Sequence, residues 1–243
     1  MERKYFLKSL FVGAASVPAL LSACSKDDAV TPTSTTATGT MGTTGTTGSG
    51  SCTVAPTETE GPFPTKVPAS YVRNDIRDGK TGHALAITIG ITNSNSSCAA
   101  LAGALVDIWH CDAEGNYSEY GGTGMQSTNY TAVHFLRGRQ TTDATGQVKF
   151  TSIFPGWYSG RATHIHVHVY SANGTSLKVT QIAFPEGSGS AVAAVNGYAK
   201  GLNGYTINSA DNVFSDGVTQ ELAAVTGSTT AGFQLAISLS VPA

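Results

Sequence analysis

Six segments of the chain alternate apolar and polar residues with a period of two, which is the pattern of a β-strand that faces a core on one side. They are residues 84–92, 104–111, 147–153, 164–170, 177–184 and 234–241. Gly, Asn, Asp and Pro residues lie between them, and residues 142–146 have the composition of a turn that joins two strands. We predict short helices at residues 190–202 and 217–226. The pattern indicates an all-β domain with long loops, and periodicity alone leaves a sandwich and a barrel equally open.

Residues 1–23 have the features of a bacterial export signal, with basic residues before an apolar run that is too short to span a bilayer comfortably. The tetrapeptide Leu-Ser-Ala-Cys that ends at Cys24 resembles a lipobox, in which the cysteine is lipidated and anchors the protein to a membrane. The alternative is an ordinary secretory signal that contains Cys24 by chance. Because Ser25 follows the cysteine, the lipoprotein interpretation favours the outer membrane or the cell surface.

Residues 24–51 are predicted to form a disordered tether between the lipid and the folded domain. Residues 31–51 contain ten Thr, five Gly and three Ser, and such a composition cannot bury enough apolar surface to offset the entropy of ordering. The folded domain is therefore expected to occupy residues 52–243.

Charge and hydropathy exclude several classes of function. Only 12% of the residues are charged and the net charge is −2, whereas nucleic-acid binding requires clustered Lys and Arg. The sequence has neither a heptad repeat nor an apolar run of transmembrane length, which argues against a coiled coil and against several membrane spans.

Three cysteines fall within the predicted domain, so an oxidising compartment leaves one of them unpaired. Cys98 and Cys111 flank a predicted strand, and an extended chain of that length would hold them far apart. We therefore favour a disulfide from Cys52 to one of the other two cysteines, with three unpaired buried thiols as the alternative.

The residues capable of metal chemistry occur in two clusters. Tyr117 lies in a polar loop after the strand predicted at residues 104–111, and Tyr158 lies in a turn just before the strand at residues 164–170. That strand carries His164, His166 and His168, which a period of two places on one face. Alternate histidines on a strand are suited to chelation, and burying three imidazoles without partners would be costly.

These clusters resemble the ligand motifs of the intradiol ring-cleavage dioxygenases, the family of catechol, hydroxyquinol and protocatechuate dioxygenases. The resemblance covers residues 52–243 and is strongest with an extracytoplasmic lipoprotein branch. It rests on Gly-Asn-Tyr117-Ser, Pro-Gly-Trp-Tyr158, Arg161-Ala-Thr-His164-Ile-His166, Thr59-Glu60-Gly61-Pro62-Phe63, Arg73-Asn-Asp75-Ile76 and Arg137-Gly-Arg139-Gln140. It implies a β-sandwich core of the intradiol dioxygenase type with short helices and long loops.

The resemblance further implies a mononuclear, non-haem Fe(III) held by Tyr117 and His164 as equatorial ligands and by Tyr158 and His166 as axial ligands. The implied reaction inserts both atoms of O₂ into a catechol-type diol and opens the ring between the hydroxyl-bearing carbons, which gives a muconate-type diacid. Tyr158 would leave the metal and take up a substrate proton. The positive charge of Arg161 would stabilise the electron-rich intermediate.

Four other polar residues near the motifs are given lesser roles. Gln181 is a weaker candidate for lining the pocket. His168 matches no ligand position and is expected on the strand surface, or otherwise behind the ligands. His110 and Cys111 are expected to orient the loop that carries Tyr117 rather than to bind metal.

Two other functions are compatible with the sequence. One is a cell-surface β-sandwich lipoprotein that binds glycans or aromatic compounds without turnover. The other is a zinc or copper site built on His164, His166 and His168, for which the two tyrosines would be dispensable.

Overall fold

A computed structural model describes residues 52–243. The export signal, the lipid attachment at Cys24 and the tether predicted for residues 1–51 lie outside the described residues. The strands are β1 (Ala84–Asn93), β2 (Ala99–Ala100), β3 (Leu105–Trp109), β4 (Arg137–Thr141), β5 (Gln147–Ile153), β6 (His164–Tyr170), β7 (Ser176–Ala183), β8 (Ala224–Ser228) and β9 (Gly232–Val241). The helical segments are α1 (Ala191–Val195) and 3₁₀ turns at Pro68–Ser70, Ser94–Ser96, Tyr198–Lys200, Asn208–Ala210 and Asn212–Phe214.

The strands form two sheets. The five-stranded sheet has the order β2-β1-β9-β8, with β5 also paired to β1, and the four-stranded sheet has the order β4-β3-β6-β7. β1 and β9 run parallel, whereas every pair in the four-stranded sheet is antiparallel. This two-sheet arrangement confirms the predicted all-β class and selects the sandwich over the barrel.

The alternation of side chains along β6 separates the core from the candidate site. Ile165, Val167 and Val169 are fully buried in the main apolar cluster, which also contains Ile87 and Leu235 of the other sheet. The histidines that alternate with them therefore lie on the opposite face of the four-stranded sheet. Loops cover that face, because every residue from His164 to Val169 is buried.

The six predicted strands are all present, with ends that differ by no more than two residues. The helix predicted at residues 190–202 is shorter than expected, because Asn196 and Gly197 adopt left-handed backbone conformations after α1. The helix predicted at residues 217–226 is wrong. Residues 218–221 form turns and bends, and residues 224–226 begin β8, which pairs with β9.

A disulfide joins Cys52 to Cys98, while Cys111 is buried and unpaired within residues 52–243. The bridge confirms the predicted involvement of Cys52 and ties the start of the domain to the turn after β1. Across residues 52–243, no helix combines the length and the apolar character needed to cross a membrane.

Candidate metal centre

The two central histidines of the candidate site project from β6 toward one point. Their Nε2 atoms lie 3.2 Å apart, and both side chains are buried. The Nδ1 atom of His164 is 2.6 Å from the carbonyl oxygen of Ala162, to which it donates, so its Nε2 keeps a free lone pair. The ring of His166 stacks on that of Trp109, which lies opposite it in the neighbouring strand β3.

Tyr117 reaches the same point from the loop after β3. Its side chain is fully buried, and its hydroxyl oxygen lies 3.2 Å from Nε2 of His164. Gln126 holds the backbone on both sides, since it accepts a hydrogen bond from the Tyr117 N–H at 2.7 Å and donates to the Tyr117 carbonyl at 2.8 Å. The ring of Phe63 stacks on the phenol with centroids 4.7 Å apart, which limits its rotation.

Tyr158 closes the arrangement from the segment between β5 and β6. Its ring lies edge-on to the rings of Tyr117 and His164, with both centroid distances 5.8 Å. Unlike Tyr117, it is only partly buried. Of the two phenols, Tyr158 is therefore the one with room to move.

Arg161 brings a fixed positive charge to this group. Its Nη1 lies 3.4 Å from the Tyr158 hydroxyl and 3.3 Å from Nε2 of His164. Its Nε is held by Asp211, and its Nη2 donates to Oε1 of Gln181 at 2.5 Å. Gln181 in turn donates to the carbonyl of Thr59 at 2.9 Å. Gln181 therefore lies beside the site, where it holds the Arg161 guanidinium in place.

Burial keeps all four candidate ligands neutral in the protein alone. It lowers the pKa of His164 to about 3, with the charge of Arg161 adding to the effect, and it also holds the pKa of His166 well below its usual value. It raises the pKa of Tyr117 well above 10, and it raises that of Tyr158 against the opposing influence of Arg161. Two imidazoles with free lone pairs therefore face two protonated phenols.

This donor set fits a ferric ion. The lone pair of His164 Nε2 is approached by Tyr117, His166 and Arg161 together, and one lone pair cannot serve three neighbours. A strongly Lewis-acidic ion would displace the phenol protons and be shared by the same atoms. The structure thus brings together Tyr117, Tyr158, His164 and His166, with Arg161 beside them.

The remaining sequence expectations differ in outcome. His168 is 8% exposed, so the expectation of an open strand surface is wrong. Its nitrogens are occupied by Glu60 and Ser176, at 2.9 and 2.8 Å, and not by the ligand group. His110 also lies apart from the ligands, since it contacts the Cys111 carbonyl and the Ser152 hydroxyl.

Three supporting residues were not predicted from the sequence. Asp211 holds Arg161, Gln126 fixes Tyr117, and Trp109 stacks on His166. Trp109 directly precedes His110 and Cys111 within the strand predicted at residues 104–111, which was the available signal. Neither Asp211 nor Gln126 belongs to a periodic pattern that could have revealed its partner.

Comparison with known proteins identifies the family. A family model described as dioxygenase matches residues 60–212, more than half of the chain. An intradiol ring-cleavage dioxygenase from Tetranychus urticae has a similar structure, with a TM-score of 0.69 and 26% identity over 79% of this chain and 95% of that one. A 3-chlorocatechol 1,2-dioxygenase from Rhodococcus opacus shares the fold, with a TM-score of 0.52 and 18% identity over 78% of this chain and 73% of that one.

A curated relative agrees with these matches. It is a chlorocatechol 1,2-dioxygenase from Rhodococcus opacus, 28% identical over 109 residues. The match spans 37% of this chain and 40% of the relative's length. The chain belongs to the intradiol ring-cleavage dioxygenase family.

Proposed function

We propose that this protein is an active mononuclear, non-haem Fe(III) dioxygenase that cleaves catechol-type diols between their hydroxyl-bearing carbons. The observation that carries the proposal is the convergence of Tyr117, Tyr158, His164 and His166 on one point beside Arg161. Members of the family act on catecholic substrates with O₂ and normally use this ion.

In this proposal Tyr117, Tyr158, His164 and His166 would together hold the ion. The bound ion would supply Lewis acidity for the two diol oxygens and the electronic coupling that makes the ring reactive toward O₂. Tyr117 and His166 are fixed by stacked aromatic rings, so they act as permanent ligands.

Tyr158 has a different role, because it is partly exposed and lies within 3.4 Å of Arg161. With the ion bound, Tyr158 would have lost its own proton, and its phenolate oxygen could then accept a proton from the incoming diol. The nearby guanidinium favours this anionic form. Arg161 then remains beside the site as a fixed cation that stabilises the negative charge developing on the substrate.

The test starts from the full chain purified with its metal content measured. Equimolar iron, a visible absorption band from tyrosinate, and oxygen uptake with catechol that yields a muconate-type diacid are expected. Tyr117→Phe should lose the band or shift it strongly, whereas Tyr130→Phe, a phenol outside the ligand group, should leave it unchanged. A colourless protein that stays colourless after addition of iron would refute the proposal and favour a binding protein without turnover.

A further variant, His168→Gln, distinguishes the proposed iron site from a zinc or copper site on the three histidines when it is compared with Tyr117→Phe. Occupation of the His168 nitrogens by Glu60 and Ser176 argues against that alternative. We expect His168→Gln to retain metal and Tyr117→Phe to lose it. The reverse pattern would support the three-histidine site.

We also propose that the protein is an exported lipoprotein anchored through Cys24 at the outer membrane or cell surface, where catechols arrive from outside. The motif around Cys24 supports this location. Fractionation should find the wild type with membranes and Cys24→Ala in the soluble fraction. A soluble, unlipidated wild type would refute the anchor and leave the proposed enzyme activity untouched.

A further inference from the structure

Three carboxylates from separate parts of the chain lie close together, and none of them is a candidate iron ligand. Glu58, Asp216 and Glu221 each contribute one oxygen to a group in which all the oxygens lie within 4.8 Å of one another. Glu58 belongs to the segment that runs along β7, where its N–H donates to the Val179 carbonyl at 3.0 Å. Asp216 lies in an exposed loop, and Glu221 is buried shortly before β8.

One oxygen of the Glu221 carboxylate is unpaired within residues 52–243. The residue is fully buried, and its Oε1 accepts a hydrogen bond from the Thr180 hydroxyl at 2.6 Å. Its Oε2 is buried without a hydrogen-bond partner among residues 52–243. A buried carboxylate oxygen without a hydrogen-bond donor is energetically unfavourable, so this atom is available to a ligand.

No basic side chain of residues 52–243 compensates the three acids. None of them takes part in a salt bridge within that range. Lys178 and Arg161, whose charges act on Glu221 and Glu58, make their direct contacts elsewhere. The Lys178 ammonium donates to the Thr57 hydroxyl at 2.7 Å, and Arg161 is paired with Asp211.

We propose that Glu58, Asp216 and Glu221 bind a hard divalent cation, with Ca²⁺ as the ion of best fit. Calcium takes oxygen ligands at about 2.3–2.6 Å in flexible geometry, so oxygens on opposite sides of the ion lie about 5 Å apart. The spacing of the three carboxylates falls within that limit. The exposed side of Asp216 leaves room for the waters that complete the shell.

The position of this carboxylate site gives the cation a structural role. Glu58 precedes Thr59, whose carbonyl accepts a hydrogen bond from Gln181, the residue that holds Arg161. A cation there joins the segment around Glu58 to the loop at Asp216 and to the start of β8. It would fix one wall of the candidate active site while sharing no ligand with the iron.

The test titrates Ca²⁺ into the full chain after passage over a chelating resin. Calorimetry should show saturable binding at one site, and a hundredfold excess over the Kd should raise the Tm by about 5–10 °C. Absence of both effects at about 10 mM Ca²⁺, above the range of weak calcium modules, would overturn the proposal.

Two variants test whether the observed Ca²⁺ binding occurs at this carboxylate site. Glu221→Gln should abolish the Ca²⁺ response, and Asp216→Asn, an exposed change that folding should tolerate, should weaken binding about tenfold. Glu114→Gln makes the same chemical change at an exposed position and should bind Ca²⁺ like the wild type. Unchanged binding in both cluster variants would overturn the proposal. The visible iron band reports separately on the tyrosines and histidines, so failure of the proposed dioxygenase would be recognised independently.

Discussion

Asp211 holds Arg161 through both oxygens of its carboxylate, which lie 2.9 and 2.8 Å from the guanidinium Nε. The same carboxylate accepts hydrogen bonds from the backbone N–H of Ala162 at 2.8 Å and of Val213 at 3.0 Å. Asp211 therefore fixes the direction of Arg161 and the start of the strand that carries the histidines. Its side chain is fully buried, so the pair is shielded from solvent.

Replacing Asp211 by Asn should keep the shape of this contact and remove its charge. We expect kcat with catechol to fall at least tenfold with a smaller change in KM, because Arg161 is no longer held where negative charge develops. The free energy of unfolding should fall by about 3 kcal/mol, since a buried cation loses its partner. Steady-state kinetics and urea unfolding measure both effects.

Asp78→Asn is the matched control, because Asp78 pairs with Arg73 at an exposed position. Its effect on stability should stay below about 1 kcal/mol, with unchanged kinetics. The visible iron band should be retained in both variants, which separates positioning of Arg161 from loss of metal. Wild-type kcat in Asp211→Asn would contradict the positioning role.

The sequence could reveal the strand that carries the histidines but not the contacts between distant loops. The period of two along β6 places His164 and His166 on one face whatever the remaining fold, so this prediction needed only local information. The pairing of Arg161 with Asp211 spans 50 residues and has no periodic signal. It arises only when the loop before β8 packs against the start of β6.

The alternating pattern does not reveal β2, β4 or β8, and the last two have a related physical cause. β4 contains Arg137 and Arg139, which read as exposed positions, yet Arg137 is buried and bonded to the Ser118 carbonyl and hydroxyl. β8 is a short edge strand whose residues are mostly exposed, so it shows little apolar alternation. Tertiary contacts, rather than pattern, define both strands.

His110 should make stability depend on pH. Burial lowers its pKa from 6.5 to about 4, and its ring is held neutral between the Cys111 carbonyl and the Ser152 hydroxyl. Below pH 6.5 the unfolded chain binds a proton that the folded protein does not, so stability is lost as the pH falls toward 4. Between pH 7 and 4 the free energy of unfolding should fall by about 3 kcal/mol more in wild type than in His110→Gln.

Urea unfolding at a series of pH values measures this difference. Equal pH profiles for wild type and His110→Gln would show that His110 does not contribute.

The disulfide between Cys52 and Cys98 should stabilise the domain by closing a loop. The two residues are 46 positions apart, for which restriction of the unfolded chain predicts about 4 kcal/mol. Urea unfolding should therefore show a loss of this size when reductant is added to the wild type. A double variant, Cys52→Ser with Cys98→Ser, should be equally destabilised and insensitive to reductant, whereas Cys111→Ala should keep the response. A wild type that ignores reductant after verified reduction would contradict the prediction.

Gly61 supports the candidate metal centre through its lack of a side chain. Its φ is +67°, and a Cβ atom there would lie 3.2 Å from Cε1 of the His166 imidazole. Gly61→Ala should therefore strain the backbone by about 1–2 kcal/mol and also push the imidazole away from the other ligands. We expect reduced iron retention and a shifted visible band.

Gly174→Ala is the matched control, since Gly174 has a φ of +87° and its Cβ would meet no atom within 4 Å. Both variants should lose similar stability, measured by urea unfolding, but only Gly61→Ala should lose iron during dialysis. Equal iron retention in the two variants would show that the close approach of Gly61 does not set the position of His166.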